Sequence, residues 1–337
     1  MDNLTHTAVA LFLSRIGPGR WSPRATAVIL IAANLPDIDV VTGLAGAATY
    51  LRFHRHLTHS LAAMPLMALA AVAIVRFAGR KPLVWRGAFF AALLAVASHL
   101  ALDWTNVYGA RLLLPFSSAW LRLDTTAVID LWIWAACLLG IAAPFLGRLV
   151  GSEITSGSIR VRHHGRGWAW FVLALVLLFD CTRGALHSRA VSALISRLYQ
   201  DAVPVRAVAV PDPVNPLRWR GLVETADAWA VEDLNLATDP GAAPVTYFHK
   251  PEAEPAIDAA RRSPVFQQFL SFSQCPLWRV TPYPGRENAR LVEVFDLRFG
   301  TPLAPGFLAR AVVDSRLEVV ESSVQMGLAS RFNQRTD

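Results

Sequence analysis

Long apolar runs separated by short polar breaks fill the first half of the chain, and the pattern then changes. Apolar stretches occupy Ala8 to Leu13, Ala25 to Leu35, Leu61 to Phe77, Gly87 to Trp104, Leu131 to Val150 and Trp168 to about Leu186. A helix needs about 20 residues to cross a bilayer core. The last two runs therefore read as spans, Leu61 to Phe77 as nearly long enough, and the first two as shorter helices packed in a bundle. From Ser188 on hydropathy drops. Strands are predicted at Val205 to Val210, Trp219 to Val223, Ala228 to Leu234, Val245 to His249, Arg290 to Phe299, Leu308 to Val313 and Leu317 to Val320. Helices are predicted at Ala190 to Leu198 and around Val265 to Phe272. The expected fold is an all-α membrane bundle of about four to six apolar helices over residues 1–187, followed by a β-rich α+β domain over residues 188–337.

Composition strengthens the membrane reading. With 54% hydrophobic and 17% charged residues in 337, the chain is too apolar for an ordinary soluble protein of its length. Charge is unevenly placed: residues 1–187 carry 16 Lys+Arg against 8 Asp+Glu, and residues 188–337 carry 16 against 17. The surplus of +7 thus belongs to the apolar half, where it signals loop placement rather than nucleic-acid binding. Cys137 and Cys181 lie inside apolar runs and Cys275 stands alone, so neither a disulfide framework nor a Cys-based zinc site is implied. Asp2 replaces a basic n-region and no cleavage site is evident, so insertion by the chain's own helices is expected.

If each run crosses or turns back, the loops Arg15 to Arg24, Arg76 to Arg86 and Arg148 to Arg166 fall on one side. They hold eleven basic residues and one acid, Glu153, which marks that side as cytoplasmic. His6, Asp37, Asp39, His56, His59, His99, Asp103 and Asp130 then collect at the opposite face, as would the C-terminal domain.

Ionisable residues at membrane helix ends are costly and usually functional. His99 and Asp103, four apart, share a helix face and suit one metal ion or a hydrogen-bonded pair. His56 and His59, three apart, suit ligation where a helix begins, against a plain interfacial histidine cluster that also includes His54. One of Asp37 and Asp39 is expected to bind or bridge metal, against a solvated helix stop. His6 is a further ligand. Arg55 either holds an anionic substrate group or anchors to lipid phosphate. Asp39 or Asp130 is the expected base, although Asp130 also suits a helix N-terminus with no function. Asp180 and Arg183 read as an ion pair.

The set Asn34-x-x-Asp37-x-Asp39, His56-x-x-His59-Ser60, His99-x-x-x-Asp103-x-x-Asn106-x-x-Gly109 and Leu113-Leu114-Pro115-Phe116 resembles the membrane-bound metal-dependent hydrolases of the YdjM-like, LexA-regulated family, over roughly residues 1–190. A more distant resemblance is to the zinc phospholipase C and P1-type nuclease group, without an evident counterpart to its later His and His-x-x-x-Glu ligands. Together these imply one or two divalent ions, Zn²⁺ first, and hydrolysis of a phosphoester or lipid-like substrate at the outer face of a bacterial inner membrane. The rival expectation is a non-enzymatic membrane protein with a structural His/Asp cluster and a partner-binding C-terminal domain.

Overall fold

A computed structural model describes residues 1–79, 82–154, 165–238 and 243–327. The chain forms two compact units: Met1–Ile38, Arg55–Ser188 and Pro211–Arg218 make the first, and Asp39–His54, Arg189–Val210 and Trp219–Asp337 the second. Of the basic-loop residues read above, Arg80, Lys81, Arg160 and Arg162 lie outside the described residues.

Helices α1 (Asn3–Ile16) and α2 (Ala25–Ala32) open the chain. Asp2 caps α1 by accepting from the Leu4 and Thr5 amides. After α2 the backbone tightens into a 3-10 stretch, Leu35–Ala45, because Pro36 cannot continue an α-helical ladder. Then come α3 (Ala47–Phe53), α4 (Met64–Phe77), α5 (Trp85–Thr105), α6 (Leu131–Ile154) and α7 (Gly165–Ile195). Among the described residues, α5 and α7 are long and apolar enough to cross a membrane. Two bent pairs bring the number to four if each counts as one span: α2 with the 3-10 stretch, bent by 40°, and Ala47–His59 with Leu61–Phe77, bent by 59°.

In the first unit α5 lies between two cores. On one side its alanines, Ala88, Ala91, Ala92 and Ala95, pack with Val28, Ile29 and Ala32 of α2 and Ala68, Ala71 and Val72 of α4. Side chains this small let helix backbones approach closely, which is how helices associate where lipid removes the hydrophobic drive. On the other, Leu102 joins Val9 and Phe12 of α1, Ile133 and Cys137 of α6, and Ala169, Val172 and Val176 of α7. Arg183, read from sequence as a partner of Asp180, is buried and donates to the backbone oxygens of Thr125 (2.9 Å), Asp212 (3.4 Å) and Pro216.

The second unit carries the strands. A meander, β1 (Arg206–Pro211), β2 (Arg218–Glu224), β3 (Ala228–Asn235) and β4 (Val245–His249), forms one four-stranded sheet in chain order. Helices α8 (Pro255–Arg262) and α9 (Pro264–Phe272) precede β5 (Pro276–Pro282) and β6 (Arg290–Asp296). A two-stranded ribbon, β7 (Gly300–Thr301) and β8 (Ala304–Pro305), leads to β9 (Phe307–Val313) and β10 (Val319–Met326), giving a second sheet of order β10-β9-β6-β5. Its pairs are antiparallel, with Val292 opposite Val280 and Ala311. Phe266, Phe269 and Phe272 of α9 are fully buried, each worth about 3–5 kcal/mol against alanine.

Candidate metal centre

Four side chains from three separate stretches of the first unit meet at one point. Asp37 comes from the 3-10 stretch after α2, His59 from a 3-10 turn (Leu57–His59) ahead of α4, and His99 and Asp103 from the last turns of α5. One ligand atom of each lies within 4.8 Å of the other three. His59 Nε2 is 3.1 Å from His99 Nε2, 3.2 Å from Asp103 Oδ2 and 3.3 Å from Asp37 Oδ1. His99 Nε2 is 3.3 Å from Asp103 Oδ2 and 3.7 Å from Asp37 Oδ1. The side chains of His59, His99 and Asp103 have no exposed area and that of Asp37 is 7% exposed.

The donor set fits a metal ion. Bonds of about 2.0–2.1 Å from zinc to nitrogen or oxygen place tetrahedral ligand atoms about 3.3 Å apart, and the observed spacings bracket that value. Asp103 Oδ2 and Asp37 Oδ2 are buried without a hydrogen-bond partner, a costly state for a carboxylate oxygen. His99 Nδ1 lies 2.7 Å from the carbonyl oxygen of Ala33. A carbonyl can only accept, so the proton sits on Nδ1 and Nε2 keeps its lone pair, the support that histidine ligands ordinarily have. His59 Nδ1 stands 3.1 Å from Thr58 Oγ1. Two imidazoles with two carboxylates suit zinc, manganese or iron.

Asp103 divides its oxygens between two tasks. Oδ2 meets the histidines, while Oδ1 receives Arg55 Nη2 at 3.0 Å, Asn106 Nδ2 at 3.3 Å and the Met1 amine. Arg55 is buried, at φ +56°, and also donates to Asn106 Oδ1 (3.1 Å) and the Gly109 carbonyl (3.2 Å). Asn106 ends α5 and accepts from the amides of Tyr108 (2.8 Å) and Gly109 (3.3 Å). Gly109 turns at φ +77°, and a Cβ there would meet Leu121 O at 2.8 Å, so glycine is required. The spacing His99-x-x-x-Asp103-x-x-Asn106-x-x-Gly109 is thus one device: two site residues, the amide that ends their helix, and the turn that returns a carbonyl to Arg55.

His6 on α1 is buried beside this group. Its ring stacks on His99 with centroids 3.8 Å apart, and Nε2 is 3.4 Å from Asp103 Oδ1. Both of its ring nitrogens lack a hydrogen bond.

The other expected residues are placed elsewhere. His56 stands outside the four-residue group. The shared face expected of His56 and His59 needs a helix at that point, but α3 has ended at Phe53, and His56 itself takes φ −98° and ψ −118° ahead of a single 3-10 turn. Asp39 lies 2.8 Å from His54 Nδ1. Asp130 caps α6, accepting from the amides of Trp132 (3.1 Å) and Ile133 (3.4 Å); burial raises its carboxyl above the ordinary range. Arg55, expected either to hold an anionic substrate group or to anchor to lipid phosphate, is engaged with Asp103. The Ala33 carbonyl, which orients His99, gave no sign in the sequence because any residue supplies one.

The profile of the YdjM inner membrane protein family matches residues 1–195, the whole helical half including the metal-competent group. The chain belongs to the YdjM inner membrane protein family. A second match, the YfhP C-terminal alpha/beta plait domain, covers residues 255–332, which include α8, α9, β5, β6, β9 and β10. The chain is also 27% identical over 310 residues to the "Uncharacterized protein YfhP" of Bacillus subtilis (strain 168), covering 89% of this chain and 87% of that one. No solved structure matches the chain. The YdjM assignment and the apolar helices agree on an inner-membrane protein with a buried His/Asp cluster able to hold a metal ion.

Proposed function

We propose that this YdjM family member is a multi-pass, metal-dependent hydrolase of a phosphoester or lipid-like substrate, working at the outer face of the inner membrane. The observation that carries the reading is the convergence of Asp37, His59, His99 and Asp103 at the separations a single ion requires. A divalent ion there supplies Lewis-acid polarisation of an ester and acidifies water toward a pKa of about 7.

The residues around it have separate tasks. His59, His99 and Asp103 are the binding set, and Arg55 and Asn106 hold Asp103 in place. Asp37 is the least buried of the four and has one unpartnered oxygen, so it is the base that takes a proton from attacking water. Asp39 and Asp130, expected in that role, are engaged with His54 and with the start of α6. The facing of the site is supported by α5, which places Arg86 and Asp103 about 25 Å apart along its axis. On α1 and α4 likewise, basic residues lie at the end away from the group.

Burial favours a second reading, a structural ion. Four protein ligands close a tetrahedron, whereas catalytic zinc keeps a position open, and three of the four side chains have no exposed area. Assays of the purified, zinc- or manganese-loaded full chain on phosphomonoesters, phosphodiesters and phospholipids decide between them. Turnover that chelation removes and His99→Ala abolishes supports the hydrolase. Stoichiometric metal with no turnover, and unfolding on its removal, supports the structural ion.

A further inference from the structure

At the other end of α1 from His6, the first unit opens into a cleft of about 620 Å³ between α1, the turn after it, α6 and the start of α7. Its chemistry is two-sided. Arg15, Arg20 and Arg166 line it from the end of α1, the turn after it and the start of α7; the Arg15 guanidinium lies 5.9 Å from the Phe12 ring centroid, and among the described residues none of the three is paired with a carboxylate. Ser14 Oγ and Thr26 Oγ1, 2.6 Å apart, add hydroxyls. The lining also has an apolar part: Ile141 and Phe145 of α6 are 41% and 61% exposed.

We infer that this cleft binds an anionic phospholipid, its phosphate on Arg15, Arg20 and Arg166 and its acyl chain along Ile141 and Phe145. Three guanidinium groups without a carboxylate partner among the described residues, brought to one cleft from separate elements, favour an anion between them, and the planar fork of arginine matches phosphate oxygens. Basic pockets between membrane helices are a recurrent seat for lipid phosphates. The apolar wall selects an anion that carries a hydrocarbon chain over free phosphate. His6 and Arg15 are about 13 Å apart along α1, so this cleft is distinct from the metal group and does not depend on its activity.

The test is native mass spectrometry of the detergent-purified full chain titrated with phosphatidylglycerol, phosphatidylcholine or inorganic phosphate. Phosphatidylglycerol is expected to be retained at least tenfold more tightly than phosphatidylcholine. The triple variant Arg15→Gln, Arg20→Gln, Arg166→Gln should abolish that preference, while Arg76→Gln with Arg86→Gln, exposed basic residues outside the cleft, should keep it. Should the triple variant fail to fold, the single exposed changes Arg166→Gln and Phe145→Asn still read the site, each lowering retention severalfold. Equal retention of the two lipids, retention unaffected by these substitutions, or displacement of lipid by inorganic phosphate at equal concentration would overturn the assignment.

Discussion

The Nε2 atoms of His59 and His99, forty residues apart in sequence, stand 3.1 Å apart in the bundle. Since His99 gives its one neutral-state proton to Ala33 through Nδ1, its Nε2 brings a lone pair to that meeting. Asp103 Oδ2 and Asp37 Oδ1 stand within 3.7 Å of it as well. Donor atoms gathered this closely inside a dry bundle are able to hold a cation between them.

If Asp37 is the base and not an obligatory ligand, Asp37→Asn keeps the ion and loses catalysis. The expected result is metal content close to wild type with kcat reduced about 10²–10⁴-fold, the usual worth of a positioned base. Loss of the ion along with activity would make Asp37 a ligand and the site a closed one. Metal analysis and single-turnover assays on the same preparation distinguish the two.

Removing Arg55 leaves the Asp103 carboxylate buried beside fewer donors. Breaking a buried pair from one side costs about 3–5 kcal/mol, so Arg55→Met lowers Tm by several degrees in metal-free protein. Saturating metal recovers part of that loss, because the ion compensates the same carboxylate. An equal loss with and without metal would separate Arg55 from the site. Thermal unfolding in detergent at both conditions reads this.

A pH effect is expected in the second unit. Asp296 is fully buried against Arg298, with Nη2 2.6 Å from Oδ2. Burial raises its carboxyl, but the Arg298 guanidinium and the amides of Arg298 and Gln274 outweigh that and hold it below the ordinary value of 3.8. Its contribution is therefore complete above the ordinary value and lost as pH falls through the lower, folded one. Tryptophan fluorescence, through Trp219, Trp229 and Trp278, should show the unit intact at pH 4 in wild type and unfolding at higher pH in Arg298→Met. Identical acid transitions in the two proteins would remove the pair from the unit's stability.

Much of this was legible beforehand because apolar runs of two lengths are strong. The long ones located α2, α4, α5, α6 and α7, and short strand-like ones located β1 to β4 within a residue or so. Other elements lacked their usual signal. The buried face of α8 is Ala256, Ile257, Ala259 and Ala260, mostly too small to raise an apolar pattern among charged neighbours. β5 is bounded by Pro276 and Pro282, which read as loop. β10 runs past Val320 to Met326 through Glu321, Ser322 and Ser323, polar residues that an edge strand tolerates. At the site, His99 and Asp103 were readable from helical spacing. His56 lies outside the group because residues three apart share a face only inside a helix, and its backbone lies in a break.

Orientation is tested by reporters fused after Arg80 and after Asp337. The proposed facing requires opposite compartments, with the Arg80 fusion cytoplasmic. An Arg80 fusion active outside the cytoplasm would remove the outer-face placement of the site, and both reporters active in one compartment would put the C-terminal domain on the side of the basic loops.

The most direct measurement is the metal content of the purified full chain, by inductively coupled plasma mass spectrometry, beside His59→Ala and His99→Ala variants whose helical circular dichroism matches wild type. The account predicts about one divalent ion per chain in wild type and less than a tenth of that in each folded variant. A wild-type chain that takes up no ion when supplied with zinc, manganese or iron, or variants that keep it, would contradict a metal centre at Asp37, His59, His99 and Asp103.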